Sequence, residues 1–129
     1  MKSREEIERL ATALVNSAFK VHVALGPGLL ESAYQACLAY ELRKRGFHVS
    51  EEVPYRVTYD GVTLDVGYRA DLVLEEEIIL ENKAVQALVP IHEAQLLTYL
   101  KLSGLRLGFL INWNVPLIKQ GIRRMVNNL

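Results

Sequence analysis

The stretch from Gly67 to Lys83, GYRADLVLEEEIILENK, constrains this chain more than any other. Two apolar runs flank Glu75, Glu76 and Glu77, a pattern that predicts two strands joined by a tight acidic loop. Side chains alternate along a strand, so Asp71 shares a face with Arg69 and Val73, and Glu81 shares one with Ile79 and Lys83. Leu72 and Leu80 then point the other way. With the three glutamates as the loop, the pairing is centred on position 76 and sets Asp71 opposite Glu81, their Cβ atoms about 4.5–5.5 Å apart. Two carboxylates that close repel each other unless a cation lies between them. Lys83, two residues along on the same face, would bring an ammonium to the edge of such a cation site. A Glu-x-Lys on a solvated strand is usually a surface ion pair, so the rest of the chain must decide between the two.

At 129 residues the chain is expected to form one domain spanning 1–129. Fifteen basic residues balance fifteen acidic ones, so no global positive field draws in a polyanion and any nucleic-acid role must rest on local patches. Two such patches are Arg43, Lys44 and Arg45, and Lys119, Arg123 and Arg124. Each is equally a solvated face. The single cysteine, Cys37, rules out an internal disulfide and reads as a small core residue in a reducing compartment. The N-terminus lacks the apolar core of a signal peptide, and no run approaches the roughly 20 apolar residues of a spanning helix. A soluble, cytoplasmic protein with no membrane role is expected.

Ser3 followed by Glu6 reads as a capping box opening a helix to about Ala24, with Ile7, Leu10, Ala11, Leu14, Ala18 and Val21 as its buried stripe. Gly26-Pro27-Gly28 ends it. A second helix is expected from about Leu29 to Arg45, closed by Gly46, with Leu30, Ala33, Tyr34, Cys37, Leu38 and Leu42 inward. Glu31 lies at the border of that apolar face. It is either a first-turn acid favoured by the helix dipole or a further acid aimed at the cation site. Strands are expected from His48 to Tyr59, at an edge because of Pro54, then Val62 to Leu74 after an Asp60-Gly61 hairpin turn, and Ile78 to Lys83. Pro90 opens a third helix, Ile91 to Leu102, with Leu96, Leu97 and Leu100 inward. His92, Gln95 and Tyr99 share another face of it, either as a polar surface or as part of a site. Leu107 to Ile111 adds a strand, Asn112 to Pro116 a loop, and Leu117 to Val126 a short helix or, as the preferred reading, a strand.

Four motifs in order, Gly28-x-x-Glu31-x-x-Tyr34, Gly67-Tyr68-Arg69-Ala70-Asp71, Glu81-x-Lys83 and the helix holding His92, Gln95 and Tyr99, resemble the GxxExxY family of small bacterial proteins within the PD-(D/E)xK nuclease superfamily. The likeness extends from about Ile7 to the C-terminus. It implies an α/β fold with the restriction-endonuclease-like core, a mixed β-sheet flanked by α-helices. It also implies a nuclease that hydrolyses phosphodiesters, DNA more than RNA, with Mg²⁺ or Mn²⁺ held by Asp71, Glu81, Glu31 and the backbone carbonyl of Asn82. Lys83 would lower the pKa of the attacking water or steady the developing charge, and Gln95 would orient water or phosphate. Tyr34, Arg69, His92 and Tyr99 would support them. A second copy of the chain or a protein partner would help to recognise the substrate. One departure stands out, because Asn82 occupies a position that is usually apolar in this family. Its amide should enter the packed face of the sheet, where an unpaired amide costs about 1–3 kcal/mol. The alternative function is a catalytically silent module on the same fold that binds nucleic acid or protein; a phosphoryl-transfer or small-nucleotide enzyme with the same metal site is a further rival.

Overall fold

Local rules place the elements almost where the sequence puts them. In the computed structural model, which describes residues 1–129, the Ser3 hydroxyl accepts the Glu6 N–H at 3.1 Å and starts helix α1, Arg4–Leu25. Its expected stripe is buried throughout. Helix α2, Glu31–Lys44, begins later than expected, and Leu30 is an exposed flanking residue rather than a core one. Gly46 follows the helix at φ 92, a conformation that glycine adopts without a Cβ clash. Strands β1, Val49–Tyr59, and β2, Val62–Leu74, form a long hairpin around Asp60-Gly61. Both turn residues have positive φ, 52 and 74, as a two-residue turn matched to strand twist requires.

Strand β3, Ile78–Lys83, is followed by helix α3, Pro90–Ser103, and strand β4, Leu107–Asn112. The segment 117–126 mixes both readings of it, a short 3₁₀ turn, Ile118–Gly121, before strand β5, Ile122–Val126. The five strands lie in chain order in one sheet. Only β3 and β4 run parallel, joined by α3 as a crossover helix. The result is an α/β fold with a mixed sheet. No helix is long and apolar enough to cross a membrane.

Register decides which chemistry reaches which face. Leu72 lies opposite Leu80, Val73 opposite Ile79 and Leu74 opposite Ile78, so the pairing is centred on Glu76 as the three-residue loop demands. Leu72, Leu74, Ile78 and Leu80 pack with α1 and α2 in the larger of two core clusters, together with Phe109, Ile111 and Trp113. Val73 and Ile79 face the other way, into a smaller cluster with Leu96 and Leu100 of α3. Helix α3 lies close on this face because Gly108 of β4 has no side chain, and a Cβ there would meet Leu96 at 2.9 Å. That close approach brings the exposed face of α3 over the ends of β2 and β3.

Candidate active site

Beyond the Leu72–Leu80 pair the ladder between β2 and β3 gives way to side chains. Glu81 Oε1 accepts the Asp71 N–H at 2.9 Å, and Asp71 Oδ2 accepts the Asn82 N–H at 2.8 Å. Each carboxylate thus uses one oxygen to tie the two strands together. Asp71 Oδ1 and Glu81 Oε2 accept no hydrogen bond from the protein, and both acids line a pocket of about 550 Å³ together with Arg69, Lys83, Gln95 and Tyr99. Lys83 takes part in none of the ion pairs, so its charge is not neutralised by a carboxylate contact.

The electrostatics are those of two acids whose charged forms lack a counterion. Burial, and then the Asp71 charge, push Glu81 up from the ordinary 4.5 to about 8. Asp71 is raised as well, by burial above all, against the stabilising Asn82 N–H. Lys83 favours the charged form of both, but less than burial disfavours it. Two recessed carboxylates, each with a free oxygen, are a hard donor pair suited to a divalent cation.

The structure brings together six of the sequence-selected residues, Asp71, Glu81, Lys83, Gln95, Arg69 and Tyr99, around one pocket. It places four elsewhere. Glu31, expected as a third ligand, is exposed at the start of α2, and its Oε1 accepts the Ala84 N–H at 3.3 Å just past β3. It adds negative charge near Asp71 without closing on the pair, and no group of three or more His, Cys, Asp or Glu side chains converges to hold a metal. Tyr34 is wholly buried, stacked on Trp113 at 4.8 Å, and its hydroxyl donates to the Gly26 carbonyl at 2.5 Å and accepts the Leu29 N–H at 3.1 Å. It clamps the Gly26-Pro27-Gly28 turn and does not reach the pocket. His92 caps its own helix, with Nδ1 accepting the Val89 N–H at 3.2 Å, because the first N–H groups of a helix lack internal partners.

Asn82 points, as its parity requires, into the α1/α2 face. Its Oδ1 accepts the Trp113 indole N–H at 2.8 Å, which resolves half of its burial, while Nδ2 stays unpartnered. Its N–H already meets Asp71, and a strand residue sends its N–H and C=O to the same edge, so the carbonyl leaves β3 on the side of the acids. Asn112 fixes the chain after Lys83 through both Val85 backbone groups, at 3.1 and 3.0 Å.

A model of the PD-(D/E)XK nuclease superfamily matches residues 8–125. The chain belongs to the PD-(D/E)XK nuclease superfamily. Nucleases of this superfamily usually use divalent metals, in keeping with the donor pair described above. No curated protein and no solved structure gives a significant match to it.

Two neighbours of the PD-(D/E)XK pair carry no sequence signal. Glu52, on β1, falls opposite Asp71 between the pairs Glu51–Leu72 and Val53–Ala70, with φ 52. Its charge raises both site acids. Gln35, one turn after Glu31, donates to Glu52 Oε1 at 3.0 Å and to the Asp71 carbonyl at 3.1 Å. Nothing distinguishes a left-handed glutamate in a strand, or a glutamine at a helix border, from surface residues of the same type.

Proposed function

We propose that this protein, a small superfamily member of the GxxExxY type, is a metal-dependent nuclease that hydrolyses phosphodiester bonds of nucleic acid, DNA in preference to RNA. The observation that carries the reading is the pair of unbonded carboxylate oxygens, Asp71 Oδ1 and Glu81 Oε2, in one pocket with an unpaired Lys83. Asp71 and Glu81 would hold Mg²⁺ or Mn²⁺, with the Asn82 carbonyl on the same edge. Such an ion supplies charge neutralisation at the phosphate and makes a water acidic enough to attack it at neutral pH. Lys83 stabilises charge that develops on the phosphate oxygens, since an ammonium is a donor and not a metal ligand. Gln95, exposed on α3 at the pocket wall, orients water or a phosphate oxygen, and Tyr99 backs it. Glu31 contributes long-range negative charge.

The test is cleavage of single-stranded, duplex and RNA substrates with Mg²⁺, with Mn²⁺ and with EDTA, by the parent protein and by Glu81→Gln. Metal-dependent cleavage lost in the variant is expected. Equal cleavage by both would remove the assignment. One observation favours a second reading, a binding module on the same fold: no third acid closes on the pair. In that case no substrate is cut, yet nucleic acid or a partner protein is still retained.

A further inference from the structure

The pocket has an aromatic side that hydrolysis alone does not require. Tyr68 of β2 and Tyr99 of α3 meet nearly at right angles, 88° with ring centres 6.1 Å apart, and Tyr55 of β1 tilts against Tyr99 from 6.2 Å. Tyr68 is 44% exposed and so still reaches solvent at the pocket. The two rings form an open corner on the wall of the pocket whose floor is Asp71 and Glu81. A flat heterocycle fits such a corner, stacked on one ring and met by the edge of the other.

Charge argues the same way. The pocket offers two cationic side chains, Arg69 and Lys83, and Arg69 is already near Asp65 at 3.6 Å. Binding to a duplex draws a large share of its affinity from phosphate contacts to lysine and arginine. Stacking on aromatic side chains contributes to single-strand binding in proportion to the bases stacked, whatever their identity. Two cations beside the pocket's two tyrosines, Tyr68 and Tyr99, is the balance of a single-strand site.

We infer that the Tyr68–Tyr99 corner receives an unpaired nucleobase next to the reacting phosphate, so that the substrate is a single strand or an unpaired end. This rests on the nuclease reading for the position of the phosphate, but its test does not require cleavage. Glu81→Gln protein, which keeps the pocket's shape, is titrated with labelled short oligothymidylate and with the matching dA·dT duplex, and binding is followed by fluorescence anisotropy. Single strand should bind at least about tenfold more tightly than duplex. Tyr68→Ala should weaken single-strand binding about 5- to 150-fold, the loss of one stacked base. Tyr68→Leu, which keeps apolar bulk if the alanine variant folds poorly, should lose as much, and Tyr68→Phe should lose nothing. Tyr40→Ala, exposed on α2, is the control that should not change. Duplex binding as tight as single-strand binding, or Tyr68→Ala and Tyr68→Leu without effect, overturns the inference. So does a change of sedimentation rate in place of affinity, which would make the corner a contact between copies of the chain. Absence of cleavage by the parent protein, with Tyr68-dependent single-strand binding intact, would overturn the nuclease reading alone.

Discussion

Strand β3 serves two environments with alternate residues, and they are built on opposite terms. On one side Ile78, Leu80 and Asn82 enter a cluster of twenty buried residues, where even the one amide is tied to the indole of Trp113. On the other side Ile79 belongs to a cluster of six, and Glu81 and Lys83 continue into a pocket where charges lack partners. The first face is closely packed and polar groups are admitted with at least one bond. The second tolerates raised acid pKa values and unbonded oxygens. Packing therefore resides behind the sheet and unpartnered charge in front of it, separated by the thickness of one strand.

The sharpest way to break this comparison is at Trp113. Trp113→Ala removes the ring that stacks on Tyr34, leaves Asn82 Oδ1 unpaired and opens a cavity, and should cost about 3–5 kcal/mol in denaturant unfolding. A loss under about 1 kcal/mol would mean that the large cluster does not depend on its centre. On the opposite face Lys83→Ala should leave stability and Mn²⁺ affinity nearly unchanged, read by calorimetry. Cleavage should fall about 10²–10³-fold, equivalent to about 2.7–4 kcal/mol of transition-state stabilisation. Undiminished cleavage would show that the pocket is not where the reaction occurs.

A third outcome concerns pH. Glu81 and Asp71 are held above their ordinary values, so folding is favoured while they are protonated. For Glu81 that contribution is complete below 4.5 and is lost as pH rises through about 8. In EDTA the melting temperature should therefore fall by roughly 5 °C or more between those limits, and Glu81→Gln should flatten the slope. A saturating divalent ion should offset the fall, since it binds the deprotonated pair. A rising melting temperature over that range would mean that burial and mutual charge do not hold these acids above their ordinary values. The smallest effect belongs to Tyr34→Phe, which deletes the bonds to Gly26 and Leu29 and should cost about 1–2 kcal/mol with cleavage unaltered. A drop in cleavage by a folded Tyr34→Phe protein would return this residue to the front face.

Most of the fold was legible because period and punctuation agreed: Ser3, Gly46, Asp60-Gly61 and Pro90 all act where turn and cap chemistry places them. The Asp71–Glu81 juxtaposition followed from loop length alone, since a centre at 76 fixes every pair. What was hidden depends on long-range packing. Tyr34 is inward, as its place in the apolar stripe requires, but the resemblance also groups it with Glu31 as site support; a three-residue step on a helix whose partners are Trp113 on one side and the end of β3 on the other sends the two to different tasks. Glu52 was hidden for a different reason. A left-handed residue in a strand is usually announced by glycine or asparagine, and here a glutamate bears the conformation, at a cost of about 1–2 kcal/mol, opposite the site aspartate.

Trp113 is the chain's one indole, wholly buried and bonded to the residue that stands beside Glu81 in the strand. Its fluorescence is therefore a reporter that needs no label. Emission should be that of a shielded ring, shifting to longer wavelength when the sheet opens. Any ligand that moves the Glu81–Asn82 backbone should perturb it from a few atoms away, so occupancy of the pocket can be read in the same spectrum as unfolding.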